Sequence, residues 1–151
     1  MFRIAIPSYQ RYKILGEKTL KTLSYHGFPI DIIDIFVANQ DEYNQYKSLY
    51  PEYNIIIGEK GIRQIREFIF LKWYKEGDHI VSIDDDIELF KMITKKDWEK
   101  SCFKNDELDL KKEIDFAFEK CIESGRHLWG IYPVDNPFYM KNTVTYDYKF
   151  I

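Results

Sequence analysis

Cysteine is scarce in this chain: only Cys102 and Cys121 occur in 151 residues, far apart and with no paired Cys or His at ligand spacing. That argues against a zinc site and a disulfide framework and makes a reducing compartment the default. Histidine is nearly as rare, and His26, His79 and His127 are scattered, which favours packing or surface roles over catalysis. There is no excess of positive charge. A net charge of −3 argues against a protein that holds duplex nucleic acid mainly through phosphates, though not against a nucleic-acid substrate met by a local patch. No apolar run is long enough to span a bilayer, since even Ile30–Ala38 carries Asp31 and Asp34. Arg3 and Pro7 interrupt the short apolar start, so no secretory signal fits it. Internal repeats and low-complexity tracts are absent. So are several catalytic fingerprints: no GxGxxG follows the first apolar stretch, and there is no GxxxxGK[ST], no GxSxG elbow and no Cys–His nucleophile site.

What is present is a globular composition, 45% apolar and 31% charged, at a length that suits one domain spanning 1–151 with a proper core. The first half alternates short apolar stretches with helical patterns. Phe2–Pro7, Ile32–Ala38, Asn54–Ile57 and the stretch from Ile80 predict strands. Helices are expected over about Ile14–Tyr25, stopped by Gly27 and Pro29, and over a segment with Tyr43, Tyr46 and Tyr50 at helical spacing, closed by Pro51. A third, about Ile62–Lys75, sets Ile62, Ile65, Ile69 and Trp73 along one face. Strands apolar on both faces, each followed by a helix, predict an α/β fold with an open, mostly parallel sheet flanked by helices on both sides. Right-handed crossovers then bring the turns 8–11, 39–41, 60–66 and 84–86 to one rim.

Beyond Glu88 the pattern loosens. Leu89–Ile93 is a candidate strand and Thr94–Asp106 a charged connection anchored by Trp98. Leu108–Ser124 predicts a helix whose apolar face is Leu110, Ile114, Ala117, Phe118, Cys121 and Ile122. Asn105 or Asp106 is expected to cap its start and Gly125 its end. Leu128–Tyr132 and Tyr146–Ile151 are expected strands, and Pro133–Pro137 a turn or substrate loop.

The stretch Ile80-Val81-Ser82-Ile83-Asp84-Asp85-Asp86 is the chemical centre of the sequence: a buried strand that runs into three consecutive carboxylates. Three acids at a strand's carboxyl end repel one another, so a cation is expected among them, at the edge where open α/β sheets bind ligands. If strand geometry persists, Asp84 and Asp86 share a side and Asp85 takes the other. Hard oxygen donors suit Mg²⁺ or Mn²⁺ with positions left for substrate phosphates; the bland alternative is a polar turn. Arg63 and Arg66 share a face in the first turns of the third helix, where an anion such as a diphosphate would suit them. Their alternative is ordinary pairing with Glu59 or Glu67. The turn after the first strand supplies Pro7, Ser8, Tyr9 and Arg11 to the same rim. Tyr9 is placed to stack on a base or simply to pack, and Asp41 to accept from a base or ribose or to cap the second helix.

These features in order resemble a GT-A glycosyltransferase. More narrowly, the opening Ile4–Arg11 (IAIPSYQR), the strand His79–Ile87 (HIVSIDDDI) and the segment Trp129–Met140 (WGIYPVDNPFYM) are similar to the TET-associated glycosyltransferase group of phages and large viruses. The resemblance covers most of the chain. It implies a nucleotide-sugar site in which Asp84 contacts ribose or base, Asp86 holds the Mn²⁺ or Mg²⁺ that bridges the diphosphate, and Asp85 lies nearby. Block for block, it also assigns Pro7, Ser8, Tyr9, Arg11 and Asp41 to the nucleotide, and Arg63 and Arg66 to phosphates or base. Asp84 is a second candidate metal ligand. The donor implied is a UDP-sugar, the acceptor a hydroxymethylated pyrimidine in DNA, and the location the cytoplasm, that of the host for a viral protein. A complete domain of this kind carries further acceptor-binding strands and a catalytic base, so the base is expected beyond Ile151. Asp135, between Val134 and Asn136 in a proline-bounded turn, is a poor candidate for it. Two rivals remain: a nucleotidyltransferase-like enzyme, which lacks its Gly- and Lys-rich phosphate loop here, and an inactive binding or assembly module that keeps the fold.

Overall fold

The computed structural model describes residues 1–91, 108–131 and 144–146. The chain divides into two compact units, Met1–Leu89 and Phe90–Ile151.

In the first unit, β1 (Phe2–Pro7) leads into α1 (Tyr12–Leu15), a π-helical turn (Gly16–Leu20) and α2 (Lys21–Tyr25). The pattern predicted one uninterrupted helix here; the wider turn rephases its second half. Gly27, at φ 72°, lets the Phe28 N–H reach back to the Leu23 carbonyl and ends the helix as expected. A short 3-10 turn precedes β2 (Ile33–Val37). Next come α3 (Gln40–Leu49), β3 (Asn54–Ile57), α4 (Ile62–Phe68), a second π-helical turn (Ile69–Trp73) and β4 (His79–Ser82). All four strands are parallel, in the order β3-β2-β1-β4. The α/β sheet predicted from the alternation is therefore present, and it is compatible with a Rossmann-like arrangement.

The register aligns Ala5, Asp34, Asn54 and Ser82 across the sheet, so Phe36 and Ile56 share their face. There Ala5, Phe36 and Ile56 pack against Ile65 and Ile69 of α4 and the turn after it. The opposite face carries Ile4, Ile6, Ile33, Ile35 and Val37, each no more than 1% exposed. Stepping from β1 to β2 to β3 in one direction puts α1 to α3 on that face, and the reversed step to β4 puts α4 on the other. Burying both faces explains why the strands lack apolar–polar alternation. The expected face of the third helix holds only in part. Ile65 and Ile69 are buried, but Ile62, at the first position of α4, is exposed, and Trp73, at the end of the π-helical turn, is half-exposed.

In the second unit α5 spans Leu110–Glu123, close to the expected bounds. Its cap is Asp109, whose side chain accepts from the Lys112 N–H. Leu110 and Ile114 are buried, whereas Ile122, expected on the apolar face, is exposed. Phe118 meets Trp129 edge to face at 5.4 Å, and the Arg126 guanidinium lies over the Tyr146 ring. Residues 128–131 form no strand, contrary to the expectation for Leu128–Tyr132. Trp98, Asn105, Asp106, the 133–137 turn, Asp135 and most of the Trp129–Met140 segment lie outside the described residues.

Candidate functional site

The strand order reverses between β1 and β4: the chain moves outward from β1 to β2 and β3, then returns to β1's other side. At such a reversal the loops leaving the two strands diverge and open a crevice at their carboxyl ends, where open α/β sheets bind ligands. Pro7–Arg11 leaves β1 there and Asp84–Asp86 leaves β4.

Both loops are anchored by extensions of the ladder. The Ile83 N–H donates to the Ala5 carbonyl at 3.1 Å, and the Ser8 N–H to the Phe36 carbonyl at 2.9 Å. Past Ile83 the strand geometry stops and a turn begins at Asp85. Asp84 and Asp86 therefore do not form the same-side pair that continued alternation would give. The carboxylates that share one cation are instead Asp85 and Asp86, each 2.8 Å from a different terminal nitrogen of Arg11. Asp84 pairs with Arg66 at 2.9 Å. The cation expected among the acids is thus supplied, in this arrangement, by two arginines.

Asp85 is buried behind this surface. Its Oδ2 accepts from the Ser8 hydroxyl at 2.6 Å, and Ser8 is 2.7 Å from the Tyr46 hydroxyl of α3. The Arg11 N–H donates to the same tyrosine oxygen. A hydroxyl has one proton, so with Ser8 donating to Asp85 the Tyr46 proton goes to Ser8. Burial pushes the Asp85 carboxyl up, against the opposing effects of Ser8 and Arg11. Arg11 holds the more exposed Asp86 carboxyl below the ordinary range through its hydrogen bond. Two adjacent acids are thus driven apart by their surroundings. Burial also raises the Tyr46 phenol, which keeps it protonated and able to donate.

Two threonines one helical turn apart hold the acidic turn from behind. The hydroxyl of Thr19, fully buried, donates to the Asp84 carbonyl at 2.8 Å and accepts from the Ile87 N–H at 2.9 Å. Thr22 donates to the Glu88 carbonyl at 2.6 Å. Thr19 belongs to the π-helical turn, which begins at Gly16; a Cβ there would strike the Tyr50 hydroxyl. Glu42, buried on α3, accepts from the Gln10 N–H, and Gln10 takes the left-handed φ of 56° that side chains rarely adopt. None of Thr19, Thr22, Tyr46 or Glu42 was singled out as a site residue. Thr19 and Thr22, three apart in a helical pattern facing an acidic strand tip, were the available signal.

The remaining candidates fall into place with varying partners. Tyr9 is 40% exposed at the rim, with the Lys60 ammonium 5.5 Å from its ring centre. Asp41 stands exposed in the first turn of α3 and does not cap it; Asn39 does, accepting from the Glu42 N–H. Arg63 is tied to Glu67 at 2.7 Å on an exposed face, the alternative pairing raised for it. Arg66 alone of the two reaches the acidic turn.

Among the described residues no group of three or more His, Cys, Asp or Glu side chains is placed to hold a metal ion. The donors do suit the other common mode, in which one or two carboxylates bind a dication and phosphates complete the shell. Asp86 and Asp84 have side chains 42% and 57% exposed and are hard oxygen donors at the crevice. Asp85 is less suited, with Oδ1 taken by Arg11 and Oδ2 by Ser8. Among the described residues no helix is long and apolar enough to cross a membrane. No protein-family model, curated protein or solved structure matches the chain.

Proposed function

We propose that the crevice between the carboxyl ends of β1 and β4 binds a nucleoside diphosphate sugar, and that the chain is a metal-dependent glycosyltransferase domain of the GT-A type. The observation that carries this reading is the coincidence of the acidic turn with the reversal in strand order between β1 and β4. Asp86 is the residue that would hold Mn²⁺ or Mg²⁺, with Asp84 as a second candidate ligand. When bound, that ion supplies Lewis-acid stabilisation of the leaving diphosphate. Tyr9 offers its exposed ring to the base, Arg66 and Arg11 offer guanidinium groups to the phosphates, and Asp41, in the first turn of α3, is the further candidate for the nucleotide. Ser8, Thr19 and Tyr46 fix the backbone and carboxylates from which these groups work. The donor is a UDP-sugar and the acceptor a hydroxyl, with a hydroxymethylated pyrimidine in DNA as the acceptor suggested by the sequence resemblance.

Calorimetric titration of UDP and a UDP-sugar, with and without Mn²⁺, tests the proposal. Binding that requires the metal and disappears in Asp86→Ala is the expected result. No metal-dependent binding at millimolar ligand would remove it. A second reading has its own support. Arg11 and Arg66 already give each of the three acids a cationic partner, as they would in a scaffold that keeps the fold without the chemistry. In that case Asp86→Ala changes neither ligand affinity nor thermal stability in the presence of Mn²⁺.

A further inference from the structure

We infer that the peptide joining Tyr9 to Gln10 is a two-state switch at the rim, and that the buried Glu42 carboxylate is the latch that holds it in its present state. The inference stands apart from the donor-site reading and needs no ligand. Gln10, at φ 56°, is the one non-glycine residue with a positive φ among the described residues. A side chain in that region is strained, and glutamine has no special tolerance for it. The residues on either side are pinned. Ser8 is tied by its N–H to the Phe36 carbonyl and by its hydroxyl to Asp85. Arg11 is held by its N–H on Tyr46 and by its guanidinium on Asp85 and Asp86. Between those anchors the chain relieves the strain most simply by turning one peptide over. Rotating the Tyr9–Gln10 peptide by about 180° takes the φ of Gln10 from 56° to about −124°, ordinary extended backbone.

Glu42 opposes that rotation. Its Oε2 accepts from the Gln10 N–H at 3.1 Å, the N–H of the same peptide that would turn. Glu42 lies in the first turn of α3, 6% exposed, with its own N–H fixed by the Asn39 side chain. Among the described residues no cation pairs with it, and the Gln10 N–H is the one hydrogen bond its side chain makes. A trans peptide directs its N–H and C=O to opposite sides. Turned over, it would aim the Tyr9 carbonyl at Glu42, and two oxygens with no proton between them repel. The carboxylate therefore selects the strained state, through the stronger kind of hydrogen bond that a charged acceptor makes. The switch changes what the rim offers. Beside the exposed Tyr9 ring, on the side away from Glu42, a main-chain carbonyl is exchanged for an N–H.

NMR spectroscopy of the full chain tests this through the three-bond HN–Hα coupling of Gln10, which reports φ, and the exchange rate of its amide. Wild type should show the coupling of a left-handed residue and a slowly exchanging amide. Glu42→Ala removes the latch. The coupling should then rise to that of extended backbone, and the amide should exchange at least about tenfold faster, the scale of one such hydrogen bond. Glu42→Gln offers both an acceptor and a donor, so it should populate both states and give an intermediate coupling. Gln10→Gly removes the strain and should raise the thermal midpoint, whereas Gln10→Ala keeps the strain and should not. Circular dichroism establishes that each variant is folded. If Glu42→Ala is not, Glu42→Gln carries the comparison, and the contrast between glycine and alanine at position 10 reads the strain without touching Glu42. An unchanged coupling in the folded Glu42 variants would mean that the flanking anchors alone impose the conformation, and equal midpoints for Gln10→Gly and Gln10→Ala would mean that no strain is stored; either result overturns the switch.

Discussion

The sheet carries two arginine–carboxylate arrangements, one on its α4 face and one at its rim, and they are built on opposite terms. On the α4 face, Asp34 of β2 is fully buried. It accepts at 2.6 Å from the Nε and Nη2 of Arg3, from the Tyr74 hydroxyl and from the Asn54 amide. Burial alone would push its carboxyl up; the bonds from Arg3, Tyr74 and Asn54 outweigh that and hold it below the ordinary value. At the rim, Arg11 spans one buried and one exposed acid, and Arg66 and Asp84 are both near half-exposed. A carboxylate with every bond made inside the protein is a structural joint, whereas acids paired at the surface can exchange partners. The contrast separates residues that keep the fold from residues able to receive a ligand.

Removing the buried acid should have the largest effect. Asp34→Ala leaves Arg3 and the Tyr74 and Asn54 donors without their acceptor and should cost about 3–5 kcal/mol, read as a lower midpoint in urea unfolding. The pH dependence has a definite sign. Asp34 is lowered in the fold from the ordinary carboxyl value, so its stabilisation is complete above that value and is lost as pH falls through the lower folded value. Asp85 is raised, so its contribution has the opposite sense: full below 3.8 and lost as pH rises through the folded value. Urea midpoints across the acid range should show a shallower acid limb in Asp34→Asn than in wild type. An unchanged limb would break the comparison at its buried end.

Thr19→Val comes next. The isostere fills the same space but strips the Asp84 carbonyl and the Ile87 N–H of their shared hydroxyl, which should cost about 1–3 kcal/mol. Because the acids keep their identity, any loss of Mn²⁺-dependent UDP binding in folded Thr19→Val reports the position of the turn. Asp86→Ala should show the reverse balance, with stability changed by about 1 kcal/mol or less, as for exposed ion pairs, and metal-dependent UDP binding abolished. Were Asp86→Ala as destabilising as Asp34→Ala, the rim would be structural too.

The α/β class, the four strands and their meeting at one rim were legible because both-face burial leaves continuous apolar runs that polar turns punctuate. The acidic turn was legible as three charges after an apolar strand. Its wiring was not. Alternation would pair Asp84 with Asp86, but the strand ends at Ser82 and the turn hands Asp86 to Arg11. The π-helical turn at Gly16–Leu20 is not legible, because apolar spacing over a dozen residues does not report the width of a single turn. Arg3 and Asp34 were visible as single charges interrupting apolar strands, yet their pairing spans 31 residues and depends on strand order. Local periodicity carries no such information.

Arg63 and Arg66 sharpen the comparison at its smallest scale. Both were expected to face phosphates, since they share a helical face at the entrance of α4. The structure divides them: Arg66 reaches Asp84, while Arg63, with a side chain 82% exposed, pairs with Glu67 four residues on. Such exposed helical pairs contribute about 0.3–0.5 kcal/mol, so Arg63→Ala should barely move the unfolding midpoint. Its effect on Mn²⁺-dependent UDP binding should also be slight, whereas Arg66→Ala should weaken that binding several-fold by removing the guanidinium paired with Asp84. Equal losses from the two would mean that Arg63 leaves Glu67 for the ligand, and the boundary of the exchangeable rim would then have to be drawn to include the outer face of α4.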